Sequence, residues 1–411
     1  MPSHEEMPEE ELWERSQSED PAERADALME LAHRKRFAED WGAAKNLYGS
    51  AMDLYDDLER LSDIGHAIYS LGFCQYRLSE YQDAVESLNR SLALGREIND
   101  SRVIAFSSGP LGDSYSALDK HEQAISAYEL AVDAFEEIDD QVSAGINCLQ
   151  LGELHGIASR QTKALECFIR AFNIFQVGGD AIGAARAKDR MASALIELGD
   201  YDQAILHIKD SLNTFEFTEQ TGRTAHAHYR LGWTMNLASR YLQAEGPLQV
   251  AIAMFRAESE WSRVALAETQ LAHSLILRDP DMESPEADKM LERLASYFEA
   301  AGELPNVLQV NSIKAEKLFN SGDYARSEAL WRDILQQALV IDDAYLIRSA
   351  RVNLAEVLIH IGLLSEAKEI MAEINEDDWG ENIPEIDRLQ RVRTQLFVKL
   401  EETLNIEIDT K

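Results

Sequence analysis

The chain has 411 residues, a formal net charge of −35 and a pI near 4.6. This acidity disfavours bulk binding to nucleic-acid phosphate; it serves solubility or favours a basic protein or peptide partner. No apolar run approaches the roughly 18 residues of a membrane span, and Met1 to Asp20 holds no signal-peptide core, so a cytoplasmic protein is expected.

Residues 1–20 read as an acidic segment, mobile to about Pro8, with Trp13 anchoring a short helix before the Asp20-Pro21 start signal. From Pro21 to Glu260 the chain repeats every 40 residues, in six segments beginning at Pro21, Leu61, Ser101, Gln141, Ala181 and Thr221. The eleventh and twelfth places pair a large apolar residue with a small one, as in Leu71-Gly72, Leu111-Gly112, Leu151-Gly152 and Leu231-Gly232. The twenty-fourth place is always alanine: Ala44, Ala84, Ala124, Ala164, Ala204 and Ala244. Such a period marks a solenoid, whose units bury their apolar faces only against neighbours. Gly199 stands where a helix end needs positive φ, with Asp200 as the next N-cap. The acids closing many segments (Asp100, Asp140, Asp180, Asp343) fit the same capping role, while Glu260 closes one as a glutamate.

Residues 261–379 carry three less regular units. The first, from Trp261, keeps Leu271-Ala272 and Ala287, with Asp279-Pro280-Asp281 and Ser284-Pro285 enlarging its inner loop. The second, from Leu304, has Lys314 and Ser327 in place of leucine and alanine; the third, from Ala344, keeps Leu354-Ala355 and Ala367. Residues 380–411 form a C-terminal helix and tail, opened by Pro384, with Ile386, Leu389, Val392, Leu396 and Leu400 on one stripe. Such a helix caps a repeat array or dimerises it. Cys74, Cys148 and Cys167 form no CxxC pair and read as free, buried thiols.

Leu-Gly followed by Tyr115 in the first helix, and Tyr81…Ala84, Tyr201…Ala204 and Tyr128…Ala131 in the second, resemble the tetratricopeptide repeat. Its usual unit is about 34 residues. The long form here is similar to the repeats of kinesin light chains, G-protein signalling modulators and bacterial peptide-pheromone receptors. The resemblance implies an all-α, right-handed superhelix of about nine helix-turn-helix units, with a concave groove that takes a protein or peptide. Carried onto this chain, its groove positions fall on Tyr69, Phe73 and Tyr76, with His66 and Phe106 near them, then on Arg186, Asp189, Arg190, His226, Tyr229, Arg230 and Trp233, with Asn353 and Glu356 near the far end. The arginines suit a partner carboxylate, or pair with acids of neighbouring repeats such as Asp189 and Glu197. The aromatic residues are partner anchors or inter-helix packing.

No enzyme motif stands. Residues 178–183 have P-loop glycine spacing, but Ala184-Ala185 replace the required Lys-Ser/Thr. His226 and His228, two apart on a helix, diverge by about 200° and cannot share one metal. No cofactor or metal is implied. Gly109-Pro110 inside a first helix predicts a kink or break there. The reading is a non-catalytic scaffold or adaptor. The alternatives are a peptide-responsive regulatory sensor, or an acidic decoy for a basic nucleic-acid-binding protein. The latter loses its partner at moderate salt.

Overall fold

The computed structural model describes residues 7–278, 284–374 and 381–409, except the side chains of Ile383 and residues 403–409. Twenty helices and no strand occur among them. They are α1 (Glu9–Arg15), α2 (Pro21–Phe37), α3 (Trp41–Asp57), α4 (Leu61–Arg77), α5 (Tyr81–Ile98), α6 (Ser101–Ala117), α7 (His121–Glu137), α8 (Gln141–Ile157), α9 (Gln161–Val177) and α10 (Ala181–Glu197). Then follow α11 (Tyr201–Phe217), α12 (Thr221–Leu237), α13 (Tyr241–Ala257), α14 (Trp261–Leu277), α15 (Pro285–Ala301), α16 (Leu304–Asn320), α17 (Tyr324–Ile341), α18 (Ala344–His360), α19 (Leu364–Ala372) and α20 (Ile383–Asp409). Helices pair into hairpins, α2 with α3, α4 with α5, α6 with α7, α12 with α13, α14 with α15, α16 with α17 and α18 with α19, and each even-numbered helix from α2 to α18 begins where the sequence period places a unit start.

Most helices of the regular region span 17 residues, joined by three-residue turns, and two of each fill the 40-residue period. The middle residue of every such turn from Glu39 to Ser259 has positive φ, and only Gly179 and Gly199 among them are glycine. This residue lets the chain reverse. The next N–H then reaches a carbonyl five residues back, as in Glu80 N–H to Gln75 O (2.9 Å) and Asp200 N–H to Leu195 O (2.9 Å). The capping reading of the closing acids is borne out. Asp100, Asp140, Asp180 and Asp343 accept from backbone N–H groups of the helix that follows, at 2.8 to 3.2 Å, and Asp200 caps α11. Glu260 makes no such cap and pairs with Arg263 instead.

Packing explains the small residues. A Cβ on Gly72 would lie 2.7 Å from Leu88; on Gly112, 2.7 Å from Tyr128; on Gly152, 2.4 Å from Phe168; on Gly232, 2.4 Å from Leu248. Each pair joins the twelfth and twenty-eighth places of one hairpin, so the bulky residue of the second helix fills the volume vacated in the first. All six twenty-fourth-place alanines are fully buried. Ser327, at the corresponding place of the α16–α17 hairpin, is also buried, and its hydroxyl donates to Ala315 O at 2.9 Å. A polar atom is tolerated there because it is bonded.

Two expectations are corrected. The expected break is absent: helix α6 runs continuously through Pro110. The proline removes only the donor for the Phe106 carbonyl, and the hydroxyls of Ser107, Ser108 and Ser114 bond back to carbonyls of the same helix at 2.6 to 2.7 Å. Gly109 is needed for contact, since a Cβ there would stand 2.8 Å from Asn147 Oδ1. At the N-terminus, Leu12 rather than Trp13 anchors α1: Leu12 is buried with Met7 and Leu31, whereas Trp13 is 43% exposed. The stretch before Met7 and the Asp279-Pro280-Asp281 loop lie outside the described residues. Ser284 and Pro285 are the N-cap and first residue of α15.

Contacts divide the chain into two units, residues 1–158 with 163–187, and residues 159–162 with 188–411. In the first, the core is a run of small clusters, each shared by adjacent helices. In the second, a larger cluster around Trp331, Leu354 and Leu358 receives Leu389, Val392 and Leu396 of α20, with Ile386 and Leu400 beside them. The C-terminal apolar stripe is therefore packed within the chain, and α20 covers the end of the last hairpin.

Candidate functional site

The predicted site residues lie on even-numbered helices, the first members of the hairpins. In the first unit, Tyr69, Phe73 and Tyr76 occupy successive turns of α4 and are all half-buried. Their rings form a ladder. Phe73 meets Trp41 of α3 edge-on at 5.8 Å, Tyr69 stacks on Phe106 of α6 at 5.6 Å, and Phe106 meets Phe135 of α7 at 5.2 Å. His66 adds an edge contact to Tyr69, and the Arg77 guanidinium lies 4.1 Å from the Trp41 ring centroid. The packing reading of this patch holds: the rings pack between helices, and they keep part of their surface open.

In the second unit, Arg230 of α12 is committed internally. It contacts the Asp189 carboxylate of α10 at 2.6 Å, and donates to Asp189 O (3.0 Å) and Ser193 Oγ (2.9 Å). The internal-pairing reading therefore holds for this arginine. Arg190 is exposed on the same helix; Arg186 falls in the first unit. Tyr229 and Trp233 are half-buried, and burial raises the Tyr229 hydroxyl pKa. His226 and His228 diverge as expected. His226 meets Phe255 edge-on at 5.3 Å, while His228 Nε2 is 3.4 Å from Glu216 Oε1. Burial lowers both imidazole pKa values, so both rings are neutral near pH 7. No group of three or more His, Cys, Asp or Glu side chains is placed to hold a metal among the described residues. At residues 178–183, Gly179 serves a turn, Asp180 caps α10, and a Cβ on Gly183 would strike Phe175 at 2.4 Å.

The three thiols are free. Cys74 and Cys148 are buried as expected, whereas Cys167 is only half-buried; burial pushes their pKa up, to about 11 for Cys74 and Cys167 and about 12 for Cys148, so the thiols are neutral near pH 7.

Sequence reading missed what occupies the far end. Asn353 and Glu356 of α18 both face Arg388 of α20; Arg388 donates to Asn353 Oδ1 and lies 3.4 Å from the Glu356 carboxylate. With Glu316, Phe319 and Trp331 these residues line a cavity of about 190 Å³. The turn before α20 reaches further. Asn382 Nδ2 donates to Glu197 Oε2 of α10 at 2.9 Å, across 185 positions of sequence. A 40-residue period carries no information about such a contact.

These hairpins define an all-α repeat solenoid. The tetratricopeptide repeat family model matches residues 63–137. Kinesin light chain-related 1 of Arabidopsis thaliana is 24% identical over 204 residues, covering 47% of this chain. The chain matches about a third, 33%, of that relative's length. Among solved structures, apo RapI superposes with a TM-score of 0.62 at 13% identity, covering 89% of this chain and 98% of its own. The quorum sensor NprR of B. thuringiensis gives 0.54 at 16%, covering 81% and 91%. Aspartyl phosphate phosphatase F of Bacillus subtilis gives 0.53 at 15%, covering 90% and 93%. Residues 63–137 match the tetratricopeptide repeat, and the helical-hairpin fold of the chain is similar to that of these solved structures. No helix among the described residues is long and apolar enough to cross a membrane.

Proposed function

We propose that the chain is a non-catalytic scaffold or adaptor, cytoplasmic, which holds a protein or peptide segment against the exposed faces of its first helices. The aromatic ladder from Trp41 to Phe135 carries this reading. Trp41, Tyr69, Phe73, Tyr76 and Phe106 are half-buried rings, backed by the buried Phe135, and their open surface suits apolar and cationic side chains of an extended or helical partner. The net charge of −35 favours a basic partner and speeds its encounter. In the second unit the exposed Arg190, with Tyr229 and Trp233 on α12, supplies a further contact surface suited to a carboxylate beside an apolar group. Asp189, His226 and Arg230 shape that surface. A second reading, a peptide-responsive regulator, is supported by the near-full-length likeness to the quorum sensor NprR.

The test is capture from host lysate with wild type, a Tyr69→Ala/Phe73→Ala variant and an Arg190→Glu/Trp233→Ala variant, each matched for thermal stability. A partner held by wild type and weakened about tenfold or more in either variant supports the scaffold reading. A partner that binds all three equally and leaves at moderate salt overturns it in favour of surface charge. A thermal shift produced by a short peptide, without a stable protein complex, favours the regulator.

A further inference from the structure

Within the second unit, α20 touches the hairpins of α10–α12 mainly through its first turn. Asn382 caps α20, its Oδ1 accepting from Glu385 N–H at 3.3 Å, while its amide donates to Glu197. Pro384 seats against Gly199, where an added Cβ would come within 3.0 Å of the proline ring. Beyond this turn, a cleft of about 950 Å³ separates Asp387, Gln390, Arg391 and Thr394 of α20 from Leu198, Tyr201 and Leu237. The first turn is thus the clasp at one end of an open cleft.

The clasp surrounds a smaller cavity of about 160 Å³ lined by Glu197, Tyr345, Arg348, Ser349, Glu381, Asn382 and Glu385. The charged and titratable groups facing it are Glu197 of α10, Tyr201 of α11, Tyr345 and Arg348 of α18, Glu381 of the preceding turn, and Glu385 and Arg388 of α20; Glu316 of α16 acts from further off. Glu197 sits at the carbonyl end of α10, where negative charge is disfavoured. The Glu385 side chain lines the same cavity as Glu197.

We propose that the Asn382–Glu197 contact is a proton-sensitive clasp, closed when the Glu197 and Glu385 side chains share less than two negative charges and loosened when both are ionised. Burial first, and then the neighbouring Glu385, raises the Glu197 pKa above its ordinary value, against the Asn382 hydrogen bond, which favours the ionised carboxylate; burial raises that of Glu385 despite Arg388 and Arg348. The closed form therefore binds protons more tightly than the open form. Its extra stability is complete below the ordinary carboxylate range and is lost as pH rises through the raised values. Loosening the clasp frees the N-terminal end of α20 and widens the cleft beside Leu198 and Leu237.

Hydrogen exchange of residues 382–396, corrected for intrinsic rates, tests this between about pH 8 and about pH 5, with a peptide from α12 as internal reference. Wild type is expected to gain about tenfold protection in 382–396 on acidification, without a matching change in the reference. Glu197→Gln keeps the acceptor for Asn382 and removes the charge, and should be protected across the whole range. Glu385→Gln should behave alike and serves if the first variant misfolds. Asn382→Ala should exchange fast throughout. Protection of 382–396 that ignores pH in wild type, or a pH response that survives in Glu197→Gln and Glu385→Gln, overturns the proposal.

Discussion

Single side chains explain why the repeat tolerates so little variation at a few places. Gly152 and Phe168 are closer than a methyl group permits. Gly152→Ala should therefore destabilise the chain by about 1–3 kcal/mol in denaturant unfolding, while Gly49→Ala, at a position with open space, should not. Arg230 and Asp189 show a different constraint, in which one guanidinium satisfies a carboxylate, a carbonyl and a hydroxyl. A double-mutant cycle of Arg230→Ala and Asp189→Ala should give a coupling above about 0.5 kcal/mol. The buried thiols of Cys74 and Cys148 should resist alkylation near neutral pH until the chain is unfolded, as mass spectrometry would show.

Among the elements, the turns hold removable strain. Ser79 and Ser239 sit in the left-handed region, where a side chain costs roughly 1–2 kcal/mol. Glycine recovers that cost at some loss of entropy. Ser79→Gly and Ser239→Gly should each raise stability by about 0.5–1 kcal/mol, measured by thermal or denaturant unfolding. The helices themselves were legible in the sequence, because Leu-Gly at places eleven and twelve and alanine at twenty-four report contacts made inside one hairpin. Local spacing encodes local contacts. The continuity of α6 was not legible, since local sequence rules place a break at an interior proline and the packing of α6 on its neighbours overrides it. The commitment of Arg230 was half legible: its acidic partner could be named, but the sequence could not weigh it against a ligand. Arg388 on Asn353 and Glu356 was hidden altogether, because α20 lies outside the period.

For the whole molecule, α20 matters most. It contributes Leu389, Val392 and Leu396 to the large cluster of the second unit. Removing residues 383–411 should expose Leu354 and Leu358 and speed amide exchange in α16–α19, with little change in α2–α7. Equal loss of protection everywhere would show that the array unfolds as one cooperative block.

The metre of the chain has one further consequence. Because the twelfth and twenty-eighth places meet within a hairpin, and most turns of the regular region reverse the chain in three residues, a segment such as residues 101–140 is an interchangeable tile. An additional copy spliced at a turn would arrive with its internal seams already matched, and would need only compatible flanks. Lineages carrying such an array can lengthen or shorten the face they show to others by whole tiles, without redesigning a core.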